Sequence, residues 1–121
     1  MKDIPLPMSY ALAGLGEKVV AIALACARAH DMVNIEAVAK EVGISRAGAK
    51  LLMSKMKNVI IGISGPDGGS KLARPASEIT LLDIVGPFAR PHRFAAHLDI
   101  WAQLDAAVHQ KLKATKLSDL L

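Results

Sequence analysis

Apolar positions in the first half of the chain recur at helical spacing, broken by short polar junctions. From residue 17 to 30 (EKVVAIALACARAH), helix-forming residues run up to the His30-Asp31 junction and predict a first long helix. Asn34 is placed to cap a second helix over 35–42 (IEAVAKEV), and Gly43 to stop it. Ser45 then caps a third over 46–58 (RAGAKLLMSKMKN). Two short helices joined across a glycine turn make the helix-turn-helix pattern. The β-branched run 59–64 (VIIGIS) and the short run 70–73 (SKLA) predict strands on either side of GPDGG at 65–69. Thr80, with Asp83 three residues on, predicts a capping box for a short helix ending near Gly86-Pro87. After the two-proline loop 87–93, Phe94, Leu98, Trp101, Leu104, Val108 and Leu112 fall on one stripe of a last helix. A helix of roughly 20 residues spans about 30 Å, longer than so small a body needs. The stripe is therefore expected to pack, at least in part, against another subunit.

The third helix divides into faces. At about 100° per residue, Ala49, Leu52, Met53 and Met56 share one arc, expected to lie on the body of the domain. Arg46, Lys50, Ser54 and Lys57 share an adjacent arc. Long cations and a small hydroxyl along one stripe suit the major groove, where side chains reach base edges and flanking phosphates. An ordinary surface helix carrying Lys for solubility is the other reading of the same pattern.

The glycine cluster decides what surrounds this helix. A dinucleotide-binding loop needs a helix directly after its glycines, so that the helix N-terminus faces the pyrophosphate. Here a strand and then Arg74-Pro75 follow, and Pro75 disfavours helical geometry at Arg74. GPDGG is thus the tip of a β-hairpin. A helix-turn-helix followed by a hairpin is a winged helix. The expected architecture is mainly α with a small β-hairpin wing: a winged helix-turn-helix unit over 1–86, then a loop and a long dimerisation helix over 87–121.

Composition narrows the function classes. Of 121 residues 52% are hydrophobic, yet the only aromatics are Tyr10, Phe88, Phe94 and Trp101, so the core must be aliphatic. The longest apolar run, 19–27, is far shorter than the roughly 20 residues of a membrane span, and the N-terminus lacks the pattern of a secretory signal. A soluble cytoplasmic protein without a membrane partner is expected. The net charge of +4 is unevenly spread: residues 40–74 carry seven basic side chains against Glu41 and Asp67, leaving the other 86 residues near neutral. A localised basic segment on a near-neutral body is what a phosphate-binding surface requires. Cys26 is the sole cysteine and sits in an apolar run, which excludes an intrachain disulfide and makes it an expected core residue. Scattered carboxylates, and serines without an evident base, supply no catalytic set.

The run 65–85 (GPDGGSKLARPASEITLLDIV) resembles the wing and following helix of the Rrf-two family of bacterial transcription regulators. The likeness extends back through 35–45 (IEAVAKEVGIS) and forward to 101–121 (WAQLDAAVHQKLKATKLSDLL), covering about residues 16–121. It implies a homodimeric winged-helix repressor or activator reading a palindromic site in double-stranded DNA, each subunit contributing one binding unit. Several members of that family hold an iron-sulfur cluster through three cysteines in the loop before the long helix. The corresponding stretch here, 87–100, is shorter and has none, so no cofactor is expected. Glu17-Lys18 stands where the family usually has Arg-Tyr, and Ser64, Asp67 and Ser70 where it has arginine, glycine and an aromatic residue. Lys50 occupies a position often held by Glu, replacing an acceptor suited to cytosine with a donor suited to guanine or phosphate.

His92 and His97, with Asp99 nearby, are the only candidate transition-metal donors near that loop. Their spacing of five residues matches no helical pair, and no metal site is assigned to them. The expected function is a DNA-binding regulator. Arg46, Lys50, Ser54 and Lys57 enter the major groove, Ser45 caps the helix and touches backbone, and Gly68, Gly69, Ser70 and Lys71 place the wing by the minor groove or its phosphates. An unidentified small effector is a further expected partner. The alternative is a dimeric interaction or small-ligand-sensing module that keeps the winged helix without reading DNA.

Overall fold

A computed structural model describes residues 12–29, 32–63, 69–89 and 99–121. After a π-helical turn, Leu12–Gly16, three helices follow: α1, Glu17–Arg28; α2, Ile35–Val42; and α3, Arg46–Ser54. Strands β1, Ile60–Ile63, and β2, Gly69–Leu72, pair antiparallel with Ile60 opposite Leu72 and Ile63 opposite Gly69. A short helix α4, Leu81–Val85, precedes the long α5, Asp99–Ala114. The expected helical body with one β-hairpin is what forms.

Helix α1 is the spine of the body. It touches α2, α3, α4 and β2. Val19, Ile22 and Ala23 are fully buried on it, with Ala25 and Cys26 nearly so. The small side chains of Ala23, Ala25 and Cys26 let the surrounding elements close in at interior packing density without aromatic filling. Met53, Met56, Val59, Ile79, Ile84 and Leu117 complete the aliphatic core expected from the composition. Thr80 and Asp83 form the anticipated capping box: the Thr80 oxygen accepts from the Asp83 N–H at 3.1 Å, and the carboxylate accepts from the Thr80 N–H at 3.0 Å.

Two features depart from the sequence pattern. Helix α3 stops at Ser54 rather than 58, because the Ser54 hydroxyl donates to the Leu51 carbonyl at 2.6 Å and the next amides bond three residues back. This tight ending turns Met56 inward, where it is buried, and aims the chain into β1. Secondly, β2 has a neighbour on each side. The Val33 N–H donates to the Ser70 carbonyl at 2.8 Å, and the Ser70 N–H donates to the Val33 carbonyl at 2.9 Å. The loop between α1 and α2 therefore lies along the wing as a one-residue third strand.

The chain end is likewise tied down. The Leu81 N–H donates to the Thr115 carbonyl at 2.9 Å and the Leu117 N–H to the Ile79 carbonyl at 2.8 Å. These bonds anchor the C-terminal end of α5 beside α4 and bury Leu117 completely.

Gly69 is required by the third-strand contact, since a Cβ there would sit 2.9 Å from the Val33 carbonyl oxygen and 3.3 Å from the Met32 Cβ. Gly69→Ala is expected to cost about 1–3 kcal/mol in urea unfolding and to speed hydrogen exchange at the Val33 and Ser70 amides. Burial, with a smaller contribution from the Glu41 carboxylate, raises the Cys26 thiol from 9.0 to about 11. Between those values the unfolded chain has lost this proton and the folded chain keeps it, so the stability Cys26 contributes declines as pH rises through that window. The advantage of the parent over Cys26→Ala, about 1 kcal/mol near pH 8, is expected to shrink towards pH 11 in the same assay.

Candidate nucleic-acid interface

The helix-turn-helix is set by three local devices. The Asn34 side chain accepts from the Glu36 N–H at 2.6 Å and starts α2. Gly43 ends it in the left-handed region (φ 83°), its N–H donating to the Ala39 carbonyl at 2.8 Å, and Ile44 repeats that bond at 3.0 Å. Ser45 starts α3 by accepting from the Gly48 N–H at 2.9 Å. The Ser45 hydroxyl thus spends one lone pair on the helix start and retains its proton and a second lone pair for an outside partner.

Along α3 the two expected faces separate. Ala49 and Met53 are buried and Leu52 is half-buried, while Arg46, Lys50 and Ser54 are exposed. Lys50, Ser54, Lys57 and Ser70 line one cleft of about 260 Å³ between α3 and the hairpin, floored by Met53 and Ile60. Lys57 reaches it from the turn after α3, not from the helix itself. Ser54 has spent its proton on the Leu51 carbonyl and offers the cleft an acceptor, complementary to the amino groups of adenine or cytosine.

The other expected contact residues are placed differently. Arg46 stands at the start of α3 with its Nε 3.4 Å from a Glu36 carboxylate oxygen, both side chains largely in solvent. Lys71 is exposed on β2 opposite Ile61 and lies apart from the cleft. Gly69 serves the contact with Val33, while Gly68 lies outside the described residues. Arg74, part of the basic segment, is half-buried and engaged by the fold. It donates to the Glu78 carbonyl at 2.9 Å and the Asn58 carbonyl at 3.4 Å, and it pairs with Asp83 at 3.3 Å. It braces the end of the α3 turn against α4.

Reading for polar residues alone overlooked two exposed positions of α3, Ala47 and Leu51, and the arc drawn through Arg46, Lys50, Ser54 and Lys57 left out the C-cap Lys55. Helical projection places them on the same outward half as Lys50 and Ser54, a signal available without coordinates.

On α5 the expected subunit-contact stripe is graded: Leu112 is buried, Val108 half-buried and Leu104 39% exposed. Phe94, Leu98 and the Trp101 side chain lie outside the described residues, as do His92 and His97. An apolar groove of about 370 Å³ runs beside the stripe, lined by Val20, Ala21 and Leu24 of α1, Leu81 and Val85 of α4, and Leu112.

Among the described residues no helix is long and apolar enough to cross a membrane, and no three His, Cys, Asp or Glu side chains gather as metal ligands. A cluster held by three thiolates does not fit this chain. Its one cysteine is buried in α1 with its thiol held protonated.

Comparison with known proteins agrees with this architecture. The regulator IscR of Cereibacter sphaeroides is 28% identical over 131 aligned residues, covering 93% of this chain and 82% of that protein. Among solved structures, IscR of T. potens superposes with a TM-score of 0.77 at 19% identity, covering 89% of this chain and 83% of that one. CymR, the global cysteine regulator of B. subtilis, also reaches 0.77, at 21% identity over 89% and 93% of the two chains. At such identities the structural likeness speaks for the fold, a winged helix. The relatives are transcriptional regulators rather than enzymes. The family model for Rrf2, described as an iron-dependent transcriptional regulator, matches residues 16–99, and this chain is a member of the Rrf2 family of transcriptional regulators.

Proposed function

We propose that the chain is a cluster-free regulator that binds a palindromic DNA operator as a homodimer. The observation that carries the DNA reading is the cleft where Lys50, Ser54 and Lys57 converge with Ser70 of the wing, on a surface with no carboxylate among its lining residues. Lys50 suits guanine or a phosphate, Ser54 accepts from a base amino group, and Lys57 and Lys71 suit flanking phosphates. With Asp67 in the wing sequence, most of the affinity comes from α3 and its following turn.

The dimer reading draws on α5. Its stripe emerges from the body between the buried Leu112 and the exposed Leu104, and the apolar groove on α1 and α4 lies alongside. Residues 1–86 then form the DNA-binding unit and 87–121 the dimerisation arm. A single cysteine with a raised pKa leaves regulation to an input other than an iron-sulfur cluster.

Selection from a random duplex pool at low salt is expected to enrich an inverted repeat, with two subunits per duplex by sedimentation. Failure to enrich any motif would instead leave a winged-helix interaction module. Replacing Lys50 and Lys57 together by alanine is expected to weaken binding to the enriched duplex by about 10- to 100-fold and to flatten the slope of log affinity against log salt by about 2. Unchanged affinity and slope would remove these side chains from the interface.

A further inference from the structure

Leu51 is the large apolar exception on the outward side of α3. It is 59% exposed, in the middle of a helix whose outward side is otherwise cationic or small. Starting from Arg46 and advancing about 100° per residue, the exposed half of α3, extended through its C-cap, reads Arg46, Lys50, Ser54, Ala47, Leu51, Lys55. The remaining half holds Ala49 and Met53, both buried, and Leu52, half-buried. Leu51 and Ala47 therefore form a small apolar strip, flanked by Lys50 and Ser54 on one side and Lys55 on the other. No core neighbour calls for a leucine here, and helix propensity does not either, since Ala serves better.

Resting on the DNA reading above, we propose that Leu51, with Ala47 beside it, recognises the C5-methyl group of a thymine in the major groove. That methyl is the one apolar feature a base pair presents there, and aliphatic side chains are its natural complement. Charge decides between this occupant and a protein. A protein contact built on Leu51 would have to accept Arg46, Lys50 and Lys55 around a single leucine, all three exposed on the outward side of α3 and its C-cap. A polyanion meets all of these cations favourably while its groove presents the methyl. Since Lys50 and Leu51 are consecutive, the thymine lies within about one or two base steps of the guanine or phosphate that Lys50 contacts. The recognition helix thus reads a mixed pattern, a donor-seeking position next to a methyl-bearing one, and Leu51 is a specificity-determining residue.

The test uses the full chain and the duplex enriched by selection, with each thymine in turn replaced by deoxyuridine, which removes the methyl and keeps the pairing. At one thymine per half-site, parent affinity is expected to fall about fourfold for the lost methyl contact. Leu51→Ala should bind the thymine and deoxyuridine duplexes equally while keeping the parent's helical circular dichroism and salt slope. Indifference of the parent to every deoxyuridine, with specific and salt-dependent binding retained, overturns the methyl contact and leaves the DNA reading standing. Enrichment of no motif overturns both. A Leu51→Ala variant that still discriminates thymine from deoxyuridine, or that changes subunit association instead, assigns the leucine another role and also overturns the inference.

Discussion

The structure depends on close approach around α1. A chain with four aromatic residues cannot fill space between widely separated elements, so its interior must be closed by bringing backbones together. Ala23, Ala25 and Cys26 provide that on α1, where α2, α3, α4 and β2 converge. The same economy appears at Gly69, where the absence of a side chain lets Val33 pair with the wing. Small residues here set distances between elements, and those distances set where α3 stands.

With its inner face committed to α1 and α2, α3 has little freedom. Its start is fixed by Ser45, its end by the Ser54 back-bond, and its following turn by Arg74 holding the Asn58 carbonyl. Several polar groups that look available for DNA are therefore already employed in building the platform that presents the others. Ser45 gives a lone pair and Ser54 its proton to the backbone, and both hydroxyls stay exposed with hydrogen-bonding capacity left. Arg74 gives all of its resolved contacts to the fold, and Arg46 is shared with Glu36. Lys50 and Lys57 are the cations that converge on the cleft.

Much of this was legible in the residues. Asn34, Gly43, Ser45 and the Thr80–Asp83 pair mark helix ends by short-range hydrogen bonding, which depends on local sequence and is met in the structure. The glycine cluster marked the hairpin because strand-like residues, not a helix, come directly after it. What was not legible depends on long-range pairing. No periodicity announces that Val33 will lie against Ser70, 37 positions later, or that Thr115 and Leu117 will bond to the segment around Thr80. The end of α3 was overestimated for a related reason. Its apolar stripe continues to Met56, but Met56 reaches the core from a turn. The stripe reported burial correctly and geometry incorrectly.

The bridge between Val33 and Ser70 bears on how the wing can move. A two-stranded ribbon fastened only through its own hairpin can swing on its base. Here a pair of backbone hydrogen bonds clamps β2 to the loop that also launches α2. Strand β2 and the start of α2 are consequently joined through the main chain at Val33, and a displacement of α1 relative to α2 bears on β2. A shift of the segment around Val33 would therefore carry β2 with it, so the base of the hairpin and the start of α2 respond together.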